Sequence, residues 1–143
     1  MNINRQTEIE NKVWSLCKEW KLAAQDAIEP VTKWLVADAT IDSRGANICL
    51  MLATDKTKRL DLTYYGRHCS LFPEYRGQLR TNIGAFGSFN TIAENDIAEY
   101  YMQVGILISN KDMLGYLIKI AEEFTGYIHE SEKEYRALSK KED

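Results

Sequence analysis

"VTKWLVADATIDSRGANICLMLATDKTKRLDLTYY" (residues 31–65) decides the fold. Within it "VTKWLVADATI" (31–41), "NICLMLATD" (47–55) and "RLDLTYY" (59–65) are rich in β-branched and apolar residues that alternate with polar ones. That is the period of a strand with one buried face. The separators DSRGA and KTK are short and polar, so the stretch predicts a three-stranded antiparallel meander. The competing reading carries the preceding helix through Trp34 to Ala37.

Upstream, Ile9, Val13, Leu16, Cys17, Trp20, Ala24, Ala27 and Ile28 recur at three- and four-residue spacing, which predicts an amphipathic helix from Thr7 to about Ile28. Pro30 ends it, because proline has no N–H to donate and restricts the residue before it. Downstream, residues 66–91 hold Gly66, Gly77, Gly84 and Gly87 without a sustained period, with a short strand expected at "LRTNIGAF" (79–86). Irregular segments of this length are uncommon inside a domain and are often functional. Thr91 and Glu94 form a T-x-x-E capping pattern, opening a helix with Ile97, Tyr101, Val104 and Ile108 on one stripe. "SNKD" (109–112) ends that helix and starts another, striped by Met113, Leu117, Ile120, Phe124, Ile128 and Tyr135 as far as Leu138. The tail, about 139–143, is expected to fray. The expected architecture is α+β, a single globular domain over 1–143: N-terminal helix, three-stranded antiparallel β-meander, irregular Gly/aromatic segment, two C-terminal helices.

With 45% hydrophobic and 27% charged residues in 143, the composition is that of a globular chain. The start "MNINRQTEIE" has no basic region leading into an apolar run, and the longest strongly apolar window, "YYMQVGILI" (100–108), is far shorter than the ~20 residues that span a bilayer. A cytoplasmic location is expected, and Cys17, Cys49 and Cys69, odd in number and scattered, fit reduced thiols. The net charge of -3 is unevenly spread: Lys56 to Arg80 carries six basic against two acidic residues, leaving an excess of negative charge elsewhere. Such polarity suits an anionic partner, or is a solvated surface.

The residues offer little catalytic chemistry. Zinc sites need Cys or His at short paired spacings, and the one close pair is His68-Cys69. Adjacent side chains in an extended chain point to opposite faces, so His68 is poorly placed to activate Cys69, and His129 serves as base only if the last helix crosses that loop. No G-x-S-x-G or H-E-x-x-H pattern occurs. Gly84 and Gly87 precede a helix as a phosphate cradle would, but Glu94 and Asp96 put negative charge in its first turn. The order helix, three strands, helix resembles the double-stranded RNA-binding domain in topology alone. The basic residues that open that family's helix are missing near Thr91, and its function is not carried over.

The remaining feature is "YYGRHCSLFPEYRG" (64–77) with Arg80 beyond it. Arginine interleaved with aromatics holds planar anions by stacking and bidentate contact, and the same residue types dominate protein-interface hot spots. Anchoring of the loop by its own rings is the plain alternative. The candidate binding residues are Tyr64, Tyr65, Arg67, His68, Phe72, Tyr75, Arg76 and Arg80, with no cofactor and no metal expected. The leading expectation is a small non-enzymatic intracellular binding protein that occludes or sequesters a protein partner, in the manner of inhibitors, immunity proteins or phage-type antagonists. The alternatives are a nucleotide or single-stranded nucleic-acid binder through 64–80, and a cysteine-dependent enzyme using Cys69. The long stripes of the first and last helices, with Trp14 beside the first, also suggest a homodimer or higher oligomer.

Overall fold

A computed structural model describes residues 2–82 and 94–142. The order is α1 (Asn2–Ile28), β1 (Trp34–Ile41), β2 (Gly45–Leu52), β3 (Asp55–Tyr65), a 3-10 turn (Pro73–Tyr75), β4 (Leu79–Asn82), α2 (Glu94–Ser109) and α3 (Lys111–Glu142). The fold is α+β with an antiparallel sheet ordered β1-β2-β3-β4. Among the described residues no helix is long and apolar enough to cross a membrane.

The meander forms from 34 to 65 and gains a fourth strand. β4 lies beside β3 with Leu62 opposite Thr81 and Thr63 opposite Arg80. The rest of the strand expected at 79–86 lies outside the described residues, as do Thr91 of the capping pattern and the glycines at 84 and 87. The turns differ from the expected ones. Asp42 Oδ1 accepts hydrogen bonds from the backbone N–H of Arg44 (2.8 Å) and Gly45 (3.2 Å), which closes the first hairpin tightly enough for β2 to begin at Gly45 rather than Asn47. The second hairpin turns at Ala53 and Thr54, so KTK lies within β3 instead of forming its loop, and the register slips across it, from Asp55 opposite Leu52 to Arg59 opposite Met51.

At the helix-to-strand junction the Thr32 hydroxyl donates to the Ile28 carbonyl (2.8 Å) and accepts from Trp34 N–H (3.0 Å). Glu29 Oε2 takes the Val36 N–H at 2.9 Å on the side of β1 away from β2, and the strand slips by one residue at Ala37. These contacts settle 34–41 as strand.

One face of the sheet is apolar throughout: Trp34, Val36 and Ile41 of β1, Ala46, Ile48, Leu50 and Leu52 of β2, Leu60, Leu62 and Tyr64 of β3. It is covered by α1 through Leu16, Trp20, Ala24 and Ile28 and by α3 through Met113, Leu117, Ala121 and Ile128. Burying such side chains stabilises by roughly 25 cal/mol per Å² of apolar surface, which holds the layers together. The opposite face presents the other set of each alternation. Thr40, Asn47, Thr63 and Arg80 stand in one row across the four strands.

Two helices differ from their patterns. α1 starts at Asn2 rather than Thr7, because Arg5 is bonded to Glu134 and Gln6 to Ser139 on α3. α3 in turn continues through Glu142, across the stretch expected to fray. Among the described side chains of α2, Tyr100, Gln103, Val104 and Leu107 are buried, whereas Tyr101 and Ile108 of the expected stripe are exposed; Ile97 of that stripe lies outside them. Tyr100 wins the inward position because its hydroxyl donates to the Arg59 carbonyl at 2.7 Å and its ring meets Trp34 edge-on. The helices α2 and α3 meet at Asn110, whose side chain caps α3 by accepting Met113 N–H at 3.2 Å.

Candidate functional site: the aromatic loop between sheet and last helix

β3 delivers Tyr64 and Tyr65 to opposite faces of the sheet, and the chain then leaves the sheet as a compact loop. Gly66 N–H donates to the Arg44 carbonyl (3.0 Å), tying the loop to the β1–β2 turn, and Tyr65 N–H donates to the Gln78 carbonyl (3.0 Å). Gly77 closes the loop by donating to the Tyr65 carbonyl at 2.8 Å with φ +73°, a backbone region that glycine enters without a Cβ clash.

On the outer side, Tyr65, Phe72 and Tyr75 form one aromatic cluster, with ring centroids 5.2–5.8 Å apart. Arg80 lies 3.9 Å over the Tyr75 ring. Arg76 Nε donates to the Cys69 carbonyl, so its head is spent on fixing the loop. Leu71 (58% exposed) and Phe72 (44% exposed) are left at the rim. Beneath them a cleft of about 180 Å³ opens between the loop and Thr40, Asn47 and Thr63 of the sheet, lined also by Arg44, whose guanidinium is paired with Asp42 of the same lining at 2.9 Å.

On the inner side, Tyr64 is buried in the core and only its hydroxyl emerges, donating to Glu122 Oε1 at 2.6 Å. Arg67 Nε donates to the same oxygen at 2.6 Å. Bonding to Tyr64 and to Arg67 holds the Glu122 carboxyl below its usual range, while burial and then Glu122 push the Tyr64 phenol up to about 12. The Arg67 guanidinium remains largely in solvent, where an ion pair contributes little to stability. His68 stacks on His129 of α3 with centroids 4.3 Å apart and planes within 7°. Burial and the neighbouring His68 and Lys133 pull the His129 imidazole below its ordinary value. A cavity of about 220 Å³ lies among Arg67, His68, Glu122 and Thr125.

The eight candidate residues therefore divide. Tyr65, Phe72, Tyr75 and Arg80 share one patch with Arg76 at its edge; Arg67 and His68 sit on the α3 side; the Tyr64 ring is core. Tyr64 lies in the core, where its ring continues the buried alternation of Leu60 and Leu62. The three loop arginines do not converge. The last helix does cross the loop, but it brings His129 onto the ring of His68. Among the described residues no group of three or more His, Cys, Asp or Glu could hold a metal ion. Glu122, Leu71 and the Thr40-Asn47-Thr63 row were missed by sequence reasoning. The row follows from strand alternation once the turn at Asp42 is recognised, whereas nothing local marks Glu122 as the partner of a residue 58 positions away.

Of the thiols, Cys69 is buried and Cys17 and Cys49 are half-buried. Cys69 is 1% exposed. Burial first, then Asp42, raises Cys17, and burial with the adjacent Asp61 pushes Cys49 up to about 11. At neutral pH, native protein is expected to react with a disulfide reagent over hours, against immediate labelling of all three thiols in guanidinium. Fast stoichiometric labelling of Cys69 in the native state would revive the cysteine-enzyme reading.

No family model matches the chain, and comparison with curated proteins and with solved structures finds no match.

Proposed function

We propose that the chain is a small non-enzymatic binding protein that occludes or sequesters a protein partner, in the class of inhibitors, immunity proteins and phage-type antagonists. The observation that carries this reading is the aromatic platform. Tyr65, Phe72 and Tyr75 brace one another, Arg80 caps Tyr75, and Leu71 and Phe72 are held out in solvent at the rim of a cleft. A rigid platform of this kind loses little side-chain freedom on binding, and aromatic and arginine residues in such positions carry most interface energy. The contact surface is Leu71, Phe72, Tyr75 and Arg80, with Arg76 holding the loop through the Cys69 carbonyl, and Tyr64, Arg67 and His68 support it from behind. A cytoplasmic location accompanies this reading, with Cys17, Cys49 and Cys69 as free thiols.

Tagged protein incubated with host lysate is expected to retain a defined partner that Leu71→Asp with Phe72→Asp loses at unchanged melting temperature. Arg76→Glu with Arg80→Glu weakens the same retention. Retention that survives both double variants removes this surface from the reading.

The cleft beside the Tyr65 and Phe72 rings favours a nucleotide or single-stranded nucleic acid as the second reading, since such rings can stack on bases. It predicts a thermal shift with mono-, di- or cyclic nucleotides or short oligonucleotides, since a ligand at ~100 times its Kd stabilises by about 2.7 kcal/mol. No shift with any of them eliminates it.

A further inference from the structure

The helix pair projects past the β1–β2 turn, at the end of the sheet where the aromatic loop also lies, and forms a surface lined by none of that loop's residues. α1, at 27 residues, and α3, at 32, are about 40 and 48 Å long, whereas an eight-residue strand spans about 27 Å. The sheet reaches the pair at Cys17, whose thiol donates to the Ile41 carbonyl, and at Glu132, which accepts from Ser43. Beyond that level the two helices run antiparallel. Arg5 bonds Glu134, Gln6 bonds Ser139, and Tyr135 donates to Glu10 at 2.7 Å.

Between them lies a groove of about 520 Å³ with a largely apolar lining, walled by Ile9, Val13 and Trp14 of α1 and Tyr135 of α3. Trp14 is 63% exposed, while Trp20 and Trp34 are buried. Tryptophan seldom stands so far out of a monomer. Lys18 Nζ covers its ring at 3.5 Å to the centroid. The groove edge carries both signs, Glu10 and Glu132 against Arg136 and Lys18.

We infer that this groove is a homodimer interface, in which Trp14 of each copy enters the groove of the other. A two-fold contact requires one patch to be its own complement, with residue i meeting j and j meeting i. A projecting indole next to an apolar groove on the same face provides knob and hole together. The edge is close to neutral, since Arg136 already pairs with Glu132 of its own chain at 3.8 Å, and Lys18 of one copy with Glu10 of the other supplies one opposite-charge pair on each side of the axis. Joining two such antiparallel pairs yields a four-helix arrangement, the usual way for paired helices to cover an apolar stripe. The inference is independent of the aromatic loop and stands if that surface binds nothing.

Sedimentation velocity across a concentration series tests it, together with acrylamide quenching of tryptophan fluorescence in the unmodified protein. The expected result is reversible dimerisation, with quenching that falls as concentration rises because Trp14 is the accessible tryptophan. Trp14→Ala is expected to weaken the dimer about 30-fold, the effect of losing a hot-spot residue, while the melting temperature measured at concentrations where both proteins are monomeric is unchanged. Ile106→Lys, on the exposed face of α2, is expected to leave the dimer unchanged. A monomer at every concentration well above the micromolar range overturns the inference. So does a dimer indifferent to Trp14→Ala, or one abolished by Ile106→Lys instead.

Discussion

Replacing Trp34 with alanine is expected to lower the free energy of unfolding by about 3–5 kcal/mol, a large part of what holds a domain of this size together. Trp34 opens β1 and is 1% exposed. Its indole N–H donates to the Gln103 carbonyl of α2 at 3.2 Å, and its ring meets Tyr100 edge-on at 6.0 Å. Tyr100 is in turn bonded to the Arg59 carbonyl of β3. Trp34 is therefore the joint through which α2 is attached to the sheet. Alanine leaves a cavity in the core and a buried carbonyl without its donor, and the two costs add. Trp34→Phe separates them, since it keeps most of the apolar contact and loses the hydrogen bond; about 1–2 kcal/mol is expected for it. Urea unfolding followed by circular dichroism measures both, and a loss below ~1 kcal/mol for the alanine variant would show that α2 is held by other contacts.

The second large effect is expected at Gly45. A Cβ there would stand 2.5 Å from the Tyr64 carbonyl oxygen, and the obstacle is backbone of the central hairpin rather than a side chain that can swing away. Gly45→Ala should cost about 2–3 kcal/mol by forcing β2 and β3 apart where Gly45 pairs with Tyr65. Gly105→Ala and Gly115→Ala are the matched controls. A Cβ at either position meets nothing within 4 Å, and both lie inside helices, so each should raise stability by about 0.5–1 kcal/mol. Thermal melts of the three variants carry the comparison; a destabilisation of Gly45→Ala no larger than ~0.5 kcal/mol would mean the hairpin yields easily.

How much of this was legible in the sequence varies with the range of the interaction. The β1–β3 alternation and the α1 stripe were readable because each residue's environment is set by its own element's period. The turn at Asp42 was readable only as a loop: KTK and DSRGA are both short and polar, and what sets the first hairpin is that Asp42 bonds the backbone N–H groups two and three residues on. The inward face of α2 was not readable, since Tyr100 to Ile108 contains no charge and almost any face would serve as the buried one. In the candidate site, the Arg/aromatic composition located the loop but not its wiring. Arg67, Arg76 and Arg80 look interchangeable along the chain, yet one faces Glu122, one a carbonyl and one a ring. Those choices depend on how α3 crosses the sheet, which no local pattern encodes.

The Glu29 contact on β1 has a consequence for the fate of the protein at high concentration. A flat outer strand with free N–H groups is a template onto which another copy can add its own strand, the first step towards fibrils. Here a carboxylate already occupies the Val36 N–H, and the slip at Ala37 puts the residues beyond it out of step with any straight newcomer. Removing the carboxylate without touching the core, as in Glu29→Ala, would leave the monomer folded and turn its first strand into a seed for aggregation.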